Sequence, residues 1–178
     1  DMGAGTGENA ENWGDRLKDF SKAYLVDLSS SLLKVADQRI AARGWQNVST
    51  VHADATKFLP PEGAADIVTF SYSLTMIPDW FTVIDKAFES LKPGGIIGVV
   101  DFYVSRKWPD QGMKKHSAWT RGFWPAWFSY DNVFLSPEHL PYLMKKFHPI
   151  MIEEWRGTVP YIPGMKAPYY LFIGRKLV

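Results

Sequence analysis

Glycine alternates with small side chains in Asp1-Met2-Gly3-Ala4-Gly5-Thr6-Gly7. Glycine lets a backbone turn tightly and approach a ligand closely, and free amides where such a loop enters a helix donate hydrogen bonds to that ligand. The dinucleotide fingerprint spaces its glycines as G-x-G-x-x-G. Here the third arrives one residue early, which favours another adenosyl cofactor over one bearing a pyrophosphate. An ordinary glycine-rich turn is the bland alternative, and the companions of the loop weigh against it. Asp27 closes an apolar run about 20 residues further on, the place from which a carboxylate accepts from both ribose hydroxyls; a strand-end aspartate that caps the next helix is the other reading. Asp54, in His52-Ala53-Asp54-Ala55-Thr56, follows the next apolar run and can accept from an adenine amino group, with Leu28 offering an apolar face to the ring. Ser71, Tyr72 and Ser73 end a further run, where the rest of such a cofactor would lie.

Those residues must stand at the ends of parallel strands, and the chain supplies the pattern: apolar runs alternate with helical periods, as βαβ crossovers require. Strands are expected at Ala23–Val26, Val48–Val51, Ile67–Phe70 and Ile96–Phe102, with Ile150–Trp155 and Tyr169–Arg175 closing the sheet. Ser29 should cap a helix to Arg43 with Leu32, Leu33, Val35, Ala36 and Ile40 on its inner face. Pro78 should start a second helix through Leu91, stopped by Pro93-Gly94-Gly95, and Ser136-Pro137 a third to Phe147. Residues 103–135 show no clean period and hold Trp108, Trp119, Phe123, Trp124, Trp127, Phe128 and Tyr130, so they read as an aromatic insertion over the active site.

Composition narrows the classes. The 178 residues, 46% hydrophobic and 22% charged, suit one α/β domain. Twenty basic and 19 acidic side chains without long runs leave no footprint for nucleic acid. The absence of cysteine excludes disulfides and thiolate metal sites, and fits a reducing interior. No apolar run approaches the roughly 20 residues that span a bilayer, and no charged-then-apolar leader opens the chain.

Together, Asp1-x-Gly3-x-Gly5-x-Gly7, Asp27, Asp54-Ala55 and Leu91-Lys92-Pro93-Gly94-Gly95 resemble the successive motifs of class I S-adenosylmethionine-dependent methyltransferases. The resemblance implies a Rossmann-like α/β fold, a mostly parallel seven-stranded sheet with helices on both faces, its first strand truncated here, in one domain over 1–178. It implies S-adenosyl-L-methionine as cofactor and S-adenosyl-L-homocysteine as product, held by Asp1, Gly3, Ala4, Gly5, Asp27, Leu28, Asp54, Ala55, Ser71 and Tyr72; Ala4 departs from the glycine expected there. More narrowly, Phe70–Trp80, Val100–Ser105 and Pro160-Tyr161-Ile162-Pro163-Gly164 resemble the methyltransferase part of betaine lipid synthase. That likeness implies trimethylation of the amine of a diacylglyceryl-homoserine lipid. It also implies a fused or separate partner that attaches the aminocarboxypropyl group, and a cytoplasmic, membrane-peripheral place, at the endoplasmic reticulum in a eukaryote. A methyltransferase for another small amine, phenol or acid, and a non-catalytic methyltransferase-like binding module, share the cofactor motifs.

Methyl transfer is an in-line displacement, so the protein must chiefly align acceptor and methyl and exclude water. An amine acceptor must lose its proton, for which His116 and Asp101 are the candidate bases, against the alternatives of a surface histidine and a structural aspartate. A quaternary product is a permanent cation, and Tyr72, Tyr103, Trp119 and Trp124 are the candidate aromatic cage; packing beneath the insertion or contact with a membrane interface is the competing reading. Lys107, Lys114, Lys115 and Arg121 would suit docking on an anionic membrane surface, with Arg121 also a candidate substrate contact, or form a solvated rim.

Overall fold

The computed structural model describes residues 1–159 and 164–177; most of the Pro160–Gly164 motif lies outside them. Strand β1 (Ala23–Asp27) pairs in parallel with β2 (Val48–His52). Strand β3 (Ala65–Ser71) pairs in parallel with β4 (Leu91–Phe102), which pairs antiparallel with β6 (Lys166–Arg175), itself antiparallel to β5 (His148–Thr158). Residues 1–3 join the two ladders. Met2 bridges Val26 in parallel, the Val26 amide donates to the Asp1 carbonyl at 2.9 Å, and the Met2 amide donates to the Thr69 carbonyl at 2.9 Å. The spatial order is therefore β2-β1-(residues 1–3)-β3-β4-β6-β5, the seven positions expected, with residues 1–3 in third place. From that strand the chain steps first one way, to β1, and later the other, to β3. This is the topological switch point, outside whose carboxyl ends open sheets bind ligands.

The helices follow from local signals. Helix α1 (Glu8–Glu11) closes the glycine loop, and α2 (Ser30–Arg43) starts where the Ser29 hydroxyl accepts from the Leu32 amide and ends at Gly44 in the left-handed region. Only Leu33 and Ala36 of its expected inner face are buried, with Ile40 partly so; Leu32 and Val35 are 40% and 42% exposed. Residues adjacent in sequence diverge by about 100° around a helix, so Leu32 and Leu33 cannot both face the sheet. Helix α3 (Trp80–Ser90) begins two residues after Pro78, and α5 (His139–Lys146) two after Pro137. Strand β4 starts directly from α3: Leu91 already pairs with Ala65, and a bulge between Ala65 and Ile67 accommodates Pro93-Gly94-Gly95. A Cβ on Gly95 would stand 2.9 Å from the Lys92 carbonyl oxygen, so this turn needs glycine.

The segment without a period contains a helix, α4 (Ala118–Ser129), whose start is set by the Ser117 hydroxyl accepting from the Thr120 amide at 3.1 Å. Gly122 and Pro125 lie inside it, and aromatic residues occupy more than one face, so no single stripe betrays the helical repeat. The main core lies where α3 and α5 cover β3, β4 and β6, with Phe70, Leu74, Ile84, Ile97, Leu140 and Phe172 fully covered. A second cluster under α2 holds Leu17, Leu25, Ala36 and Val48, and a third under α4 holds Val104, Trp124, Phe128, Leu135 and Ala167. Among the described residues no helix is long and apolar enough to cross a membrane.

Candidate active site

A cleft of about 1210 Å³ opens at the carboxyl ends of β1, β2 and β3, and all ten residues expected to hold the cofactor border it. The glycine loop makes its floor. Gly3, Gly5 and Gly7 have φ of 72°, 54° and 72°, in the left-handed region that side chains other than glycine avoid. A Cβ on Gly3 would lie 2.5 Å from the Ser73 Cβ, so the loop presses against the end of β3 as only glycine permits. The Ser73 hydroxyl donates to the Met2 carbonyl at 2.9 Å and locks that contact. The Asp27 carboxylate ties the other side: one oxygen accepts from the Gly5 amide and the other from the Ser29 amide, each at 2.8 Å. Loop and carboxylate are thus one unit, and Asp27 touches the start of α2 without replacing Ser29 as its cap. Each oxygen keeps a further lone pair for a ligand hydroxyl.

Asp54 at the end of β2 accepts at one oxygen from both the Thr56 amide (2.9 Å) and the Thr56 hydroxyl (2.7 Å). These bonds hold its pKa below the usual carboxylate range, so it stays an acceptor. Leu28 is 71% exposed beside it. Asp1 binds the Thr69 hydroxyl with one oxygen at 2.7 Å and leaves the other buried without a partner among the described residues. Asp1, Glu8, Asp27, Asp54 and Asp79 face the cleft, with Lys57 as the basic residue of the lining, so the field there favours a cation. A floor that excludes Cβ atoms, paired carboxylate acceptors and a negative field fit an adenosyl sulfonium.

The model of the ubiE/COQ5 methyltransferase family matches residues 1–129. The chain belongs to the ubiE/COQ5 methyltransferase family. Among curated relatives, the demethylmenaquinone methyltransferase of Geobacillus stearothermophilus is 39% identical over 75 residues, 42% of this chain and 32% of that protein. A second, from Geobacillus kaustophilus, is 32% identical over 96 residues, 54% of this chain and 41% of that one. The matched stretch thus spans less than half the length of these relatives. The N-methyltransferase NodS of Bradyrhizobium japonicum, solved with S-adenosyl-L-homocysteine, superposes with a TM-score of 0.70 at 14% identity, covering 98% of this chain and 75% of that one. The fold is the Rossmann-like methyltransferase fold.

On the acceptor side of the site the structure redistributes the expected residues. Tyr72 alone of the four cage candidates borders the cleft. It sits at φ 52°, a left-handed conformation that costs a non-glycine residue about 1 kcal/mol or more. Its amide donates to the Val100 carbonyl at 2.8 Å, and its ring, 43% exposed, lies 4.9 Å from Phe102. Burial, with Tyr169 and Asp101 nearby, raises its pKa, so the phenol stays neutral. Tyr103 and Trp124 belong to the core instead: Tyr103 donates its hydroxyl to Glu154, and Trp124 packs with Phe128. Trp119 is 59% exposed on the outer face of α4, stacked on Phe123. Arg121 lies on the same helix away from the cleft lining.

Both candidate bases are also structural in their contacts. His116 is buried; its Nδ1 accepts from the Ser105 amide at 3.0 Å while its own amide donates to the Ser105 hydroxyl at 2.8 Å, and burial lowers its pKa. The pair fastens the segment before α4 to the end of β4. Asp101 is fully buried and accepts from the Thr75 amide (3.1 Å), the Thr75 hydroxyl (2.8 Å) and the Phe102 amide (2.8 Å). Burial pushes its pKa up to about 6. It therefore acts behind the Leu74–Met76 turn that follows Tyr72 and Ser73, holding it, and does not line the cleft. Met76, Ile77, Pro78 and Asp79 do line it beyond Tyr72, although sequence reasoning assigned them no role. Their signal was present: a short 3-10 turn at Leu74–Met76 follows β3 directly and carries them to the rim.

Proposed function

We propose that this chain is the cofactor-binding core of an S-adenosylmethionine-dependent N-methyltransferase, and that its acceptor is the amine of a diacylglyceryl-homoserine lipid, methylated to a betaine lipid. The observation that carries the reading is Tyr72, held in a strained conformation at the mouth of a cleft lined with carboxylates. Bound there, the cofactor would supply a methyl group on a positively charged sulfur and leave as S-adenosyl-L-homocysteine. The glycine loop, Asp27 and Asp54 would hold its nucleoside, with Leu28 against the base. Each ammonium would first give up a proton to water at the open mouth of the cleft, and the freed lone pair would take the methyl as the carbon–sulfur bond breaks, so one proton is released at every step and the third product is a quaternary cation with none left. Asp79 at the rim is placed to attract the ammonium, while Tyr72, backed by Phe102, presents a ring face to the growing cation ahead of the Leu74–Met76 turn. Asp101 serves as a positioning residue for that turn. The reading needs a partner activity, fused or separate, that attaches an aminocarboxypropyl group to diacylglycerol.

The curated relatives favour a second reading, in which the acceptor is a ring carbon of a demethylmenaquinone-like quinol resting on Met76, Ile77 and Pro78. One experiment separates them. The chain is incubated with methyl-labelled S-adenosyl-L-methionine and, in parallel, diacylglyceryl-homoserine and demethylmenaquinone in detergent, and products are read by mass spectrometry. Three successive N-methyl products support the lipid amine. Label in the quinone alone overturns it, and label in neither, with cofactor bound, leaves a binding module.

A further inference from the structure

We propose that the outer face of α4, with the basic loop before it, docks on a bilayer that carries anionic headgroups. Helix α4 is apolar on two faces. Thr120, Trp124 and Phe128 are buried against the third core cluster. On the adjacent stripe, about 100° around the helix, Trp119, half-buried Phe123 and Trp127, four residues apart, stack in a column with ring centroids 4.5 and 5.9 Å apart and planes tilted by 9° and 23°. Trp119 and Trp127 remain 59% and 43% exposed, and Tyr130 and Phe134 beyond the helix are 88% and 53% exposed. Single exposed apolar residues are ordinary, but a stacked aromatic column running the length of a helix beside its buried stripe is a contiguous apolar patch, which marks an interaction surface. Tryptophan and tyrosine are the side chains that settle at the headgroup level of a bilayer.

Charge selects the surface. Residues 103–135 carry Arg106, Lys107, Lys114, Lys115 and Arg121 against Asp110 and Asp131, and α4 has no acidic residue. This is the reverse of the cleft lining. Lys115, just before the cap of α4, stands 4.1 Å from the centroid of Trp108, which is 71% exposed, and Lys107 approaches the same ring at 5.6 Å. Cation and indole at one exposed point suit an anionic interface, where each basic side chain near the surface contributes about 1 kcal/mol. The face also adjoins the acceptor end of the cleft. Phe128 lies 4.8 Å from Phe102, which touches Tyr72, and the Phe134 amide donates to the Thr75 carbonyl at 2.7 Å beside Met76. A lipid amine would then reach Tyr72 without leaving its bilayer, and only this last step rests on the lipid-acceptor reading.

The test is co-sedimentation of the chain with vesicles of phosphatidylcholine alone or mixed with phosphatidylserine, with no acceptor or cofactor present. The chain should pellet with the mixed vesicles and be released by salt. Trp119→Ser with Trp127→Ser should weaken the partition about tenfold, and Lys107→Glu with Lys115→Glu should erase the preference for phosphatidylserine. Both variants should keep the parental affinity for S-adenosyl-L-homocysteine, which certifies the fold. Quenching of tryptophan emission by brominated lipid in the unaltered chain provides a readout that needs no variant. No pelleting with either vesicle, unchanged partition of the tryptophan variant, or a dimer in light scattering that this variant dissolves would overturn the proposal. Intact vesicle binding without N-methyl products in detergent would sink the N-methyl reading alone.

Discussion

The cofactor cleft and the segment over residues 103–135 meet at Tyr72 and Phe102, yet they are made of different materials. The cleft is defined by backbone: three glycines at positive φ, amides that bind Asp27, and carboxylates at strand ends, under a negative field. The segment is defined by side chains: a buried layer of Trp124 and Phe128, a column of exposed Trp119 and Trp127 around half-buried Phe123, and an excess of lysine and arginine. A backbone-built site tolerates little exchange of residue type, because positive φ and close approach have few chemical solutions. An aromatic layer tolerates exchange so long as volume is kept, which leaves such a segment free to differ between acceptors.

The contrast predicts that damage to each region stays in its own observable. The largest effect is on stability: Trp124→Ala should destabilise the fold by about 3–5 kcal/mol, because a fully buried indole leaves a cavity between α4 and β4. Affinity for S-adenosyl-L-homocysteine in the surviving folded fraction should stay at the parental value. Denaturant titration and calorimetry check both, and a parallel collapse of affinity would mean that the regions are coupled. Asp27→Ala should do the reverse. Losing the carboxylate frees the Gly5 amide and removes acceptors for two ligand hydroxyls, so affinity should fall about 100-fold with only a modest change in stability. Gly3→Ala should lose as much affinity and lose stability as well, since at φ +72° the added Cβ meets Ser73 at 2.5 Å, whereas Gly122→Ala, with nothing within 4 Å, should keep the affinity and gain up to about 1 kcal/mol of stability inside α4.

Legibility in the sequence divides along the same line. The run of strands, the residues that come to border the cleft and the cap at Ser29 were readable because each rests on a residue type that local physics demands: glycine for positive φ, aspartate at a strand end, serine before a helix. The aromatic side misled. Trp124 and Trp119 differ by five residues and so point about 140° apart on α4, a fact invisible until the phase of the helix is known. Tyr103 and Asp101 alternate with Phe102 along β4, so both turn inward to the core. His116 carried the right chemistry for a base, but its ring nitrogen is spent on the Ser105 amide.

A third test probes the boundary between α5 and α3 and should give a smaller, pH-dependent effect. His139 is fully buried against Trp80, ring centroids 4.8 Å apart, with neither ring nitrogen bonded among the described residues. Burial lowers its pKa from 6.5 to about 4. The folded state thus binds that proton less readily than the unfolded chain, so the neutral ring's contribution is complete above pH 6.5 and is lost as pH falls toward 4. Asp101, raised to about 6 by burial, has the opposite sign, its contribution fading as pH rises from 3.8 through 6. His139→Leu should therefore resist acid better than the parent, with a gap in unfolding free energy that widens from pH 6.5 downward, to at most about 3 kcal/mol. A gap that stays constant with pH would mean that the ring takes up its proton as readily in the fold as in the unfolded chain.

The smallest and most specific effect is expected where the two regions touch. If Tyr72 recognises the growing cation, Tyr72→Ala should slow the third methylation more than the first, by about two- to thirtyfold, the range that a single cation–π contact spans. Tyr72→Phe keeps the ring over Phe102 and should keep most of the third step, because the phenol stays neutral and is not asked to carry a proton. Single-turnover assays on the unmethylated, monomethylated and dimethylated amines separate the steps and remove product release from the comparison. Equal slowing at all three would assign Tyr72 to the strained turn alone, with its φ of 52° as its contribution, and would move recognition of the cation to another part of the rim.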